Sequence, residues 1–190
     1  VAILKPPSYI EIKRWMKEAL KLPGPKPKYH YDRNAAVAYA HKWALDRNKA
    51  YYDFSNLGGD CTNFVSQCLY AGCKRMDYTK DTGWYYISLH DRAPAWTGVP
   101  FLYRYLTRKT KSAGPYGEEV DVKDIEPGDI IQLAFREMGE FSHSLFVVSC
   151  GDMPDIDNIL INTHTVDRQN YPLFQYHWAR IRFIKILGVR

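Results

Sequence analysis

The chain has 190 residues, 46% hydrophobic and 25% charged, which suits one domain with a sizeable core plus an appendage and excludes wholesale disorder. No run approaches the ~20 consecutive apolar residues that a membrane-spanning helix needs, so an integral helical membrane protein is excluded. The net charge of +5 sits in residues 1–28, which hold seven Lys/Arg and two Glu; the rest balances 19 basic against 19 acidic residues, which disfavours a nucleic-acid-binding body.

The chain opens Val-Ala-Ile-Leu-Lys with no charged-then-apolar leader before it. That suits a processed chain or a fragment, and it leaves the compartment open between a secreted or wall-associated protein and a cytoplasmic one. Ser8 and Glu11 form a capping-box pattern, and Ile12, Trp15, Met16, Ala19 and Leu20 fall on one helical face. Pro-Gly-Pro-Lys-Pro at 23–27 ends that helix and runs extended. Residues 1–30 therefore read as a basic amphipathic helix and stiff linker whose apolar stripe needs the body, another domain or a partner to cover it. Residues 31–190 form the main domain.

A second helix is predicted to start after Asp32 and run to about Arg47, with Ala36, Ala40 and Trp43 inward. A third follows Gly58-Gly59-Asp60, with Cys61, Phe64, Val65, Cys68 and Leu69 as its stripe and Gly72 as its stop. Phe101–Leu106 is a short fourth helix, and Thr107–Gly117 an exposed loop. Strands are predicted at Asp129–Phe135, His143–Cys150, Ile159–His164 and Ala179–Leu187. Helices precede antiparallel strands, so the fold class is α+β, with N-terminal helices packed on an antiparallel sheet.

Four cysteines, at 61, 68, 73 and 150, match no zinc spacing and are too few for a disulfide framework, although one bridge through Cys68 or Cys73 remains open. Cys61 is the candidate nucleophile. It occupies the first turn of a predicted helix, where free N–H groups and the helix dipole stabilise a thiolate. A buried core cysteine is the competing reading, and the neighbouring Asp60 opposes thiolate formation unless it caps the helix. His143, at a strand start, is the best-placed base; the bland alternative is a strand-edge histidine. If strands 143–150 and 159–164 form a hairpin around Pro154, residue 143 faces roughly residue 164, so His164 is the preferred group to orient the imidazole and Asn162 the second choice. Asp167 is a weaker candidate. Asp60, Trp84, Tyr85 and Trp96 are candidate cleft residues, against a core position for any single aromatic. The remaining histidines, His30, His41, His90 and His177, read as structural or solvated.

The block Gly59-Asp-Cys-Thr-Asn-Phe-Val-Ser-Gln-Cys-Leu-Tyr-Ala-Gly72 resembles the putative amidase domain family, a branch of the papain-like cysteine hydrolases related to CHAP-type cell-wall amidases. Tyr31–Ala40, Trp84-Tyr85-Tyr86, Trp96-Thr97, Pro127–Ile131, Ser142-His-Ser144 and Asn162–Thr165 follow in the family's order. The resemblance covers about residues 31–188. It departs from many members at Gly72-Cys73, where they carry a second glycine, and has no counterpart for the first 30 residues. It implies a papain-like fold, Cys61 as nucleophile, His143 as base and His164 at a motif position. It further implies amide-bond hydrolysis without a cofactor, on peptidoglycan or its peptides. Two other readings compete. One is a zinc-dependent amidase with Cys61, His143 and His164 as ligands; the other is an inactive cell-wall or peptide-binding module.

Overall fold

In a computed structural model of the chain, residues 29–190 are described; the predicted N-terminal helix and most of the linker lie outside them. Helix α1 spans Arg33–Trp43, and its N-cap Asp32 accepts the Ala35 amide. Its buried face is Ala36 and Ala40, small side chains that let α2 lie close against it. Helix α2, Cys61–Cys73, is buried at every position except Tyr70. It ends at Lys74, which takes the left-handed conformation expected of a glycine cap. Gly72 lies inside the helix rather than stopping it. A Cβ there would stand 2.6 Å from the Tyr31 ring and 2.8 Å from the Asp32 carbonyl, so this glycine permits a close crossing of the chain entering α1. Two short helices follow, α3 at Pro94–Thr97 and α4 at Val99–Leu106.

The rest is one antiparallel sheet of six strands: β1 Pro115–Val120, β2 Ile130–Ala134, β3 His143–Ser149, β4 Leu160–Thr163, β5 Arg168–Pro172 and β6 Arg180–Val189. Their spatial order is β1-β6-β2-β3-β4-β5. The class is thus α+β, as the order of patterns predicts. No helix among the described residues is long and apolar enough to cross a membrane.

Strand alternation divides the apolar side chains into two cores. Ile130, Phe146, Val148, Ile184 and Ile186 meet Phe64, Leu69, Trp84 and Trp96 on the helical side. Ile131, Leu133, Leu145, Val147 and Ile161 face the other way, under Ile125, Ile159 and Leu173. Both faces of the central strands are therefore covered, and β2 is buried throughout. The start of α1 is pinned to the sheet by Arg33, which donates to Asp129 at 2.7 Å and to the Pro127 carbonyl at 2.9 Å, and by the Tyr31 hydroxyl on the Gly128 carbonyl. Asp129 also accepts the amides of Glu126 and Ile186, which makes it a structural tie.

Candidate active site

Cys61 is the first residue of α2, so its own amide has no acceptor within the helix. Gly58 and Gly59, at φ +93° and +111°, turn the chain into that helix through conformations that side chains rarely adopt. The first turn is then fastened to the sheet, with the Thr62 hydroxyl 3.0 Å from the Ser144 hydroxyl. Ser144 takes a hydrogen bond from Gln132, and its carbonyl accepts the Thr163 hydroxyl. Cys61 is 6% exposed. Burial pushes its thiol up, against the opposing pull of the Ser144 amide, the Thr62 hydroxyl and amide, and the Thr165 hydroxyl. The helix-start position therefore does not leave a free thiolate in the resting protein; desolvation wins.

His143 opens β3 and shares a cavity of about 490 Å³ with Cys61. Gly58, Phe135, Thr165, Arg168, Tyr171 and Tyr176 are among the other wall residues. The imidazole lies between the Phe135 and Tyr176 rings, with centroids 6.1 and 5.8 Å away, and forms no hydrogen bond among the described residues. Burial lowers its pKa to about 4. Burial thus favours a neutral thiol at Cys61 and a neutral imidazole at His143, and both line the one cavity.

His164 and Asn162 are placed elsewhere. His164 Nδ1 lies 2.6 Å from Asp60 Oδ2, its Nε2 donates to the Trp43 carbonyl at 2.8 Å, and its ring stacks on Phe64. Asn162 donates to the Ala40 carbonyl and accepts the Asn170 amide. Neither reaches His143, so the expected orienting contact is corrected. The physical reason is strand register. Phe146 pairs with Asn162 and Val147 with Ile161; continued along the strands, that register sets His143 beside Thr165 rather than His164. A one-residue slip turns every side chain to the other face. His164 accordingly points to the helices, while His143 shares its face with Leu145 and Val147.

Asp60 does not line the cavity. It is buried, accepts from the Phe54 amide and Asn63 as well as meeting His164, and has Arg47 Nε 3.6 Å away. Its carboxyl group is engaged by this network, at the start of α2, rather than by Cys61. Trp84 and Trp96 are fully buried core residues, donating to Ser66 and Asn63. Tyr85 packs near Tyr78 and is absent from the cavity wall. These four corrections share a cause: the sequence marks aromatics and charges, but not which side of the sheet they reach. The three residues of the zinc alternative do not converge either. Among the described residues no group of three or more His, Cys, Asp or Glu could hold a metal ion, and both His164 nitrogens already have partners. All four cysteines are free thiols.

Thr165, Arg168, Tyr171, Tyr176 and His177 escaped sequence reasoning as site residues. Only Thr165 had a signal, its place at the end of the Asn162–Thr165 motif. It adopts φ +87°, unusual for a β-branched residue, while its hydroxyl accepts the Asp60 amide at 3.0 Å.

A family model described as Putative amidase domain matches residues 30–186. Two proteins of Bacillus subtilis (strain 168) are similar. Uncharacterized protein YhbB is 35% identical over 144 residues, 73% of this chain and 43% of that protein. Uncharacterized protein YjcM is 31% identical over 149 residues, 75% of this chain and 32% of that protein. The chain thus spans less than half the length of these curated relatives. No solved structure matches. With residues 30–186 inside the family model, the chain belongs to the putative amidase domain family.

Proposed function

We propose that this protein is a cysteine-dependent amide hydrolase with a papain-like arrangement, acting on peptide or peptidoglycan-like substrates. The observation that carries the reading is that Cys61, at a helix start, and His143, at a strand start, line one cavity. Cys61 Sγ attacks the amide carbonyl, and His143 takes the thiol proton and returns it to the leaving amine. Water, deprotonated by the same imidazole, then hydrolyses the thioester. Because burial raises the thiol and lowers the imidazole, proton transfer accompanies attack rather than preceding it. The Cys61 amide donates one hydrogen bond to the oxyanion. His164 acts as a positioning residue, holding Asp60 and hence the entry to α2.

Cys61→Ala and His143→Ala should each reduce turnover of a peptide amide to background while leaving the folded structure intact. Substantial hydrolysis by either variant contradicts the assignment. A protein that binds wall peptide but releases no new amine in its native form would instead be a binding module.

A further inference from the structure

The cavity wall carries one permanent charge, Arg168, and no Asp or Glu. Among the described residues Arg168 forms no ion pair and no side-chain hydrogen bond; its guanidinium lies 4.5 Å from the centre of the Tyr171 ring. Asp167, its neighbour in sequence, is already engaged: its two oxygens accept from Arg47 at 2.8 and 2.9 Å. Arg168 is also held in place. It opens β5 opposite Thr163, directly after a turn fastened by His164 on Asp60, Thr165 on the Asp60 amide and Asp167 on Arg47. Arg168 and Cys61 line the same cavity of about 490 Å³, together with Tyr171 and Tyr176, so a ligand seated there meets both the guanidinium and the sulfur.

A guanidinium lying against an aromatic ring keeps its N–H edge free, and that edge matches a carboxylate through two parallel hydrogen bonds. The field of a lone cation in a half-enclosed cavity also draws anions to it. We propose that Arg168 anchors a carboxylate of the substrate, so that the amide cleaved at Cys61 belongs to a peptide bearing an acidic group close to the scissile bond. This rests on Cys61 being the nucleophile.

Two reagents of nearly equal size, iodoacetate and iodoacetamide, differ in charge and report on the site directly. In both cases the sulfur displaces iodide and the thiol proton goes to solvent. The quantity to measure, at low ionic strength, is the iodoacetate-to-iodoacetamide rate ratio at Cys61, located by peptide mapping and divided by the ratio for free cysteine. The expected value is several-fold above one in the native protein, about one in Arg168→Gln, and intermediate in Arg168→Lys, which keeps the charge without the fork. An identical ratio in native protein and Arg168→Gln overturns the anchor and leaves Cys61 as nucleophile. A Cys61 that neither reagent alkylates even at alkaline pH, where its thiolate forms, overturns both, because a sulfur that receives a substrate must admit a two-carbon reagent. Amide hydrolysis that survives in Cys61→Ala overturns the underlying reading, whatever the ratio.

Discussion

The two histidines beside α2 occupy opposite environments. His164 is 1% exposed, with both ring nitrogens hydrogen-bonded and its ring stacked on Phe64 at 4.1 Å. His143 stands at the cavity, flanked by two aromatic rings, with no hydrogen-bond partner among the described residues. The same side chain therefore sits in two different settings. A saturated imidazole can only hold structure, because any proton it moves breaks a bond already made. An unsaturated one opening on a cavity can take a proton from the group beside it. In the proposed mechanism that group is Cys61, which lines the same cavity.

The contrast predicts a double dissociation. His143→Ala should lower turnover by on the order of 10³-fold or more, since a base and its nucleophile act as a unit, while changing folding stability by about 1 kcal/mol or less. His164→Ala should show the reverse priority. It leaves the buried Asp60 side chain and the Trp43 carbonyl without their imidazole partner, which costs about 1–3 kcal/mol for each group in chemical denaturation. Comparable effects on both readouts for both variants would erase the distinction.

The pH response sharpens it. With its pKa lowered to about 4, His143 stays neutral and able to accept a proton through the mildly acidic range. The acid limb of kcat/KM should therefore lie near pH 4 rather than near 6.5. Stability carries the matching sign. Between pH 6.5 and 4 the unfolded state binds a proton at this site that the folded state refuses, so stability falls as pH falls through that window. Against His143→Gln, the native protein should lose at most about 3 kcal/mol across it. An acid limb at 6.5 with no differential loss would mean that His143 is solvated.

The smallest effect concerns the turn into α2. Gly59 has φ +111°, and a Cβ there would lie 3.1 Å from the Thr165 hydroxyl, the same oxygen that accepts the Asp60 amide. Gly59→Ala should cost about 1–2 kcal/mol and should slow Cys61 alkylation as the helix start shifts. Unchanged stability would show that the turn tolerates a side chain.

Much of the molecule is legible in its sequence where one face is apolar. The stripe of Cys61, Phe64, Cys68 and Leu69 defines α2, and β2, β3, β4 and β6 fall within about two residues of their predicted limits. The two unpredicted strands are the sheet's edges. Pro115–Val120 and Arg168–Pro172 are largely polar, and pairing on one side fixes them without an apolar alternation. The cavity partly escapes for the same reason, since Arg168 and Tyr171 belong to that edge strand. Cys61 and His143 could be picked from local position, but the role first given to His164 could not survive a register set by the β3–β4 pairing.

The proposed mechanism requires a covalent intermediate on Cys61. Acid-quenching the protein during turnover of a peptide amide or activated ester, followed by intact mass and peptide mapping, tests it directly. The acyl increment should appear on the peptide containing Cys61, diminished in His143→Ala and absent in Cys61→Ala. Sustained turnover with no increment at Cys61, or with the acyl group on another residue, would contradict it.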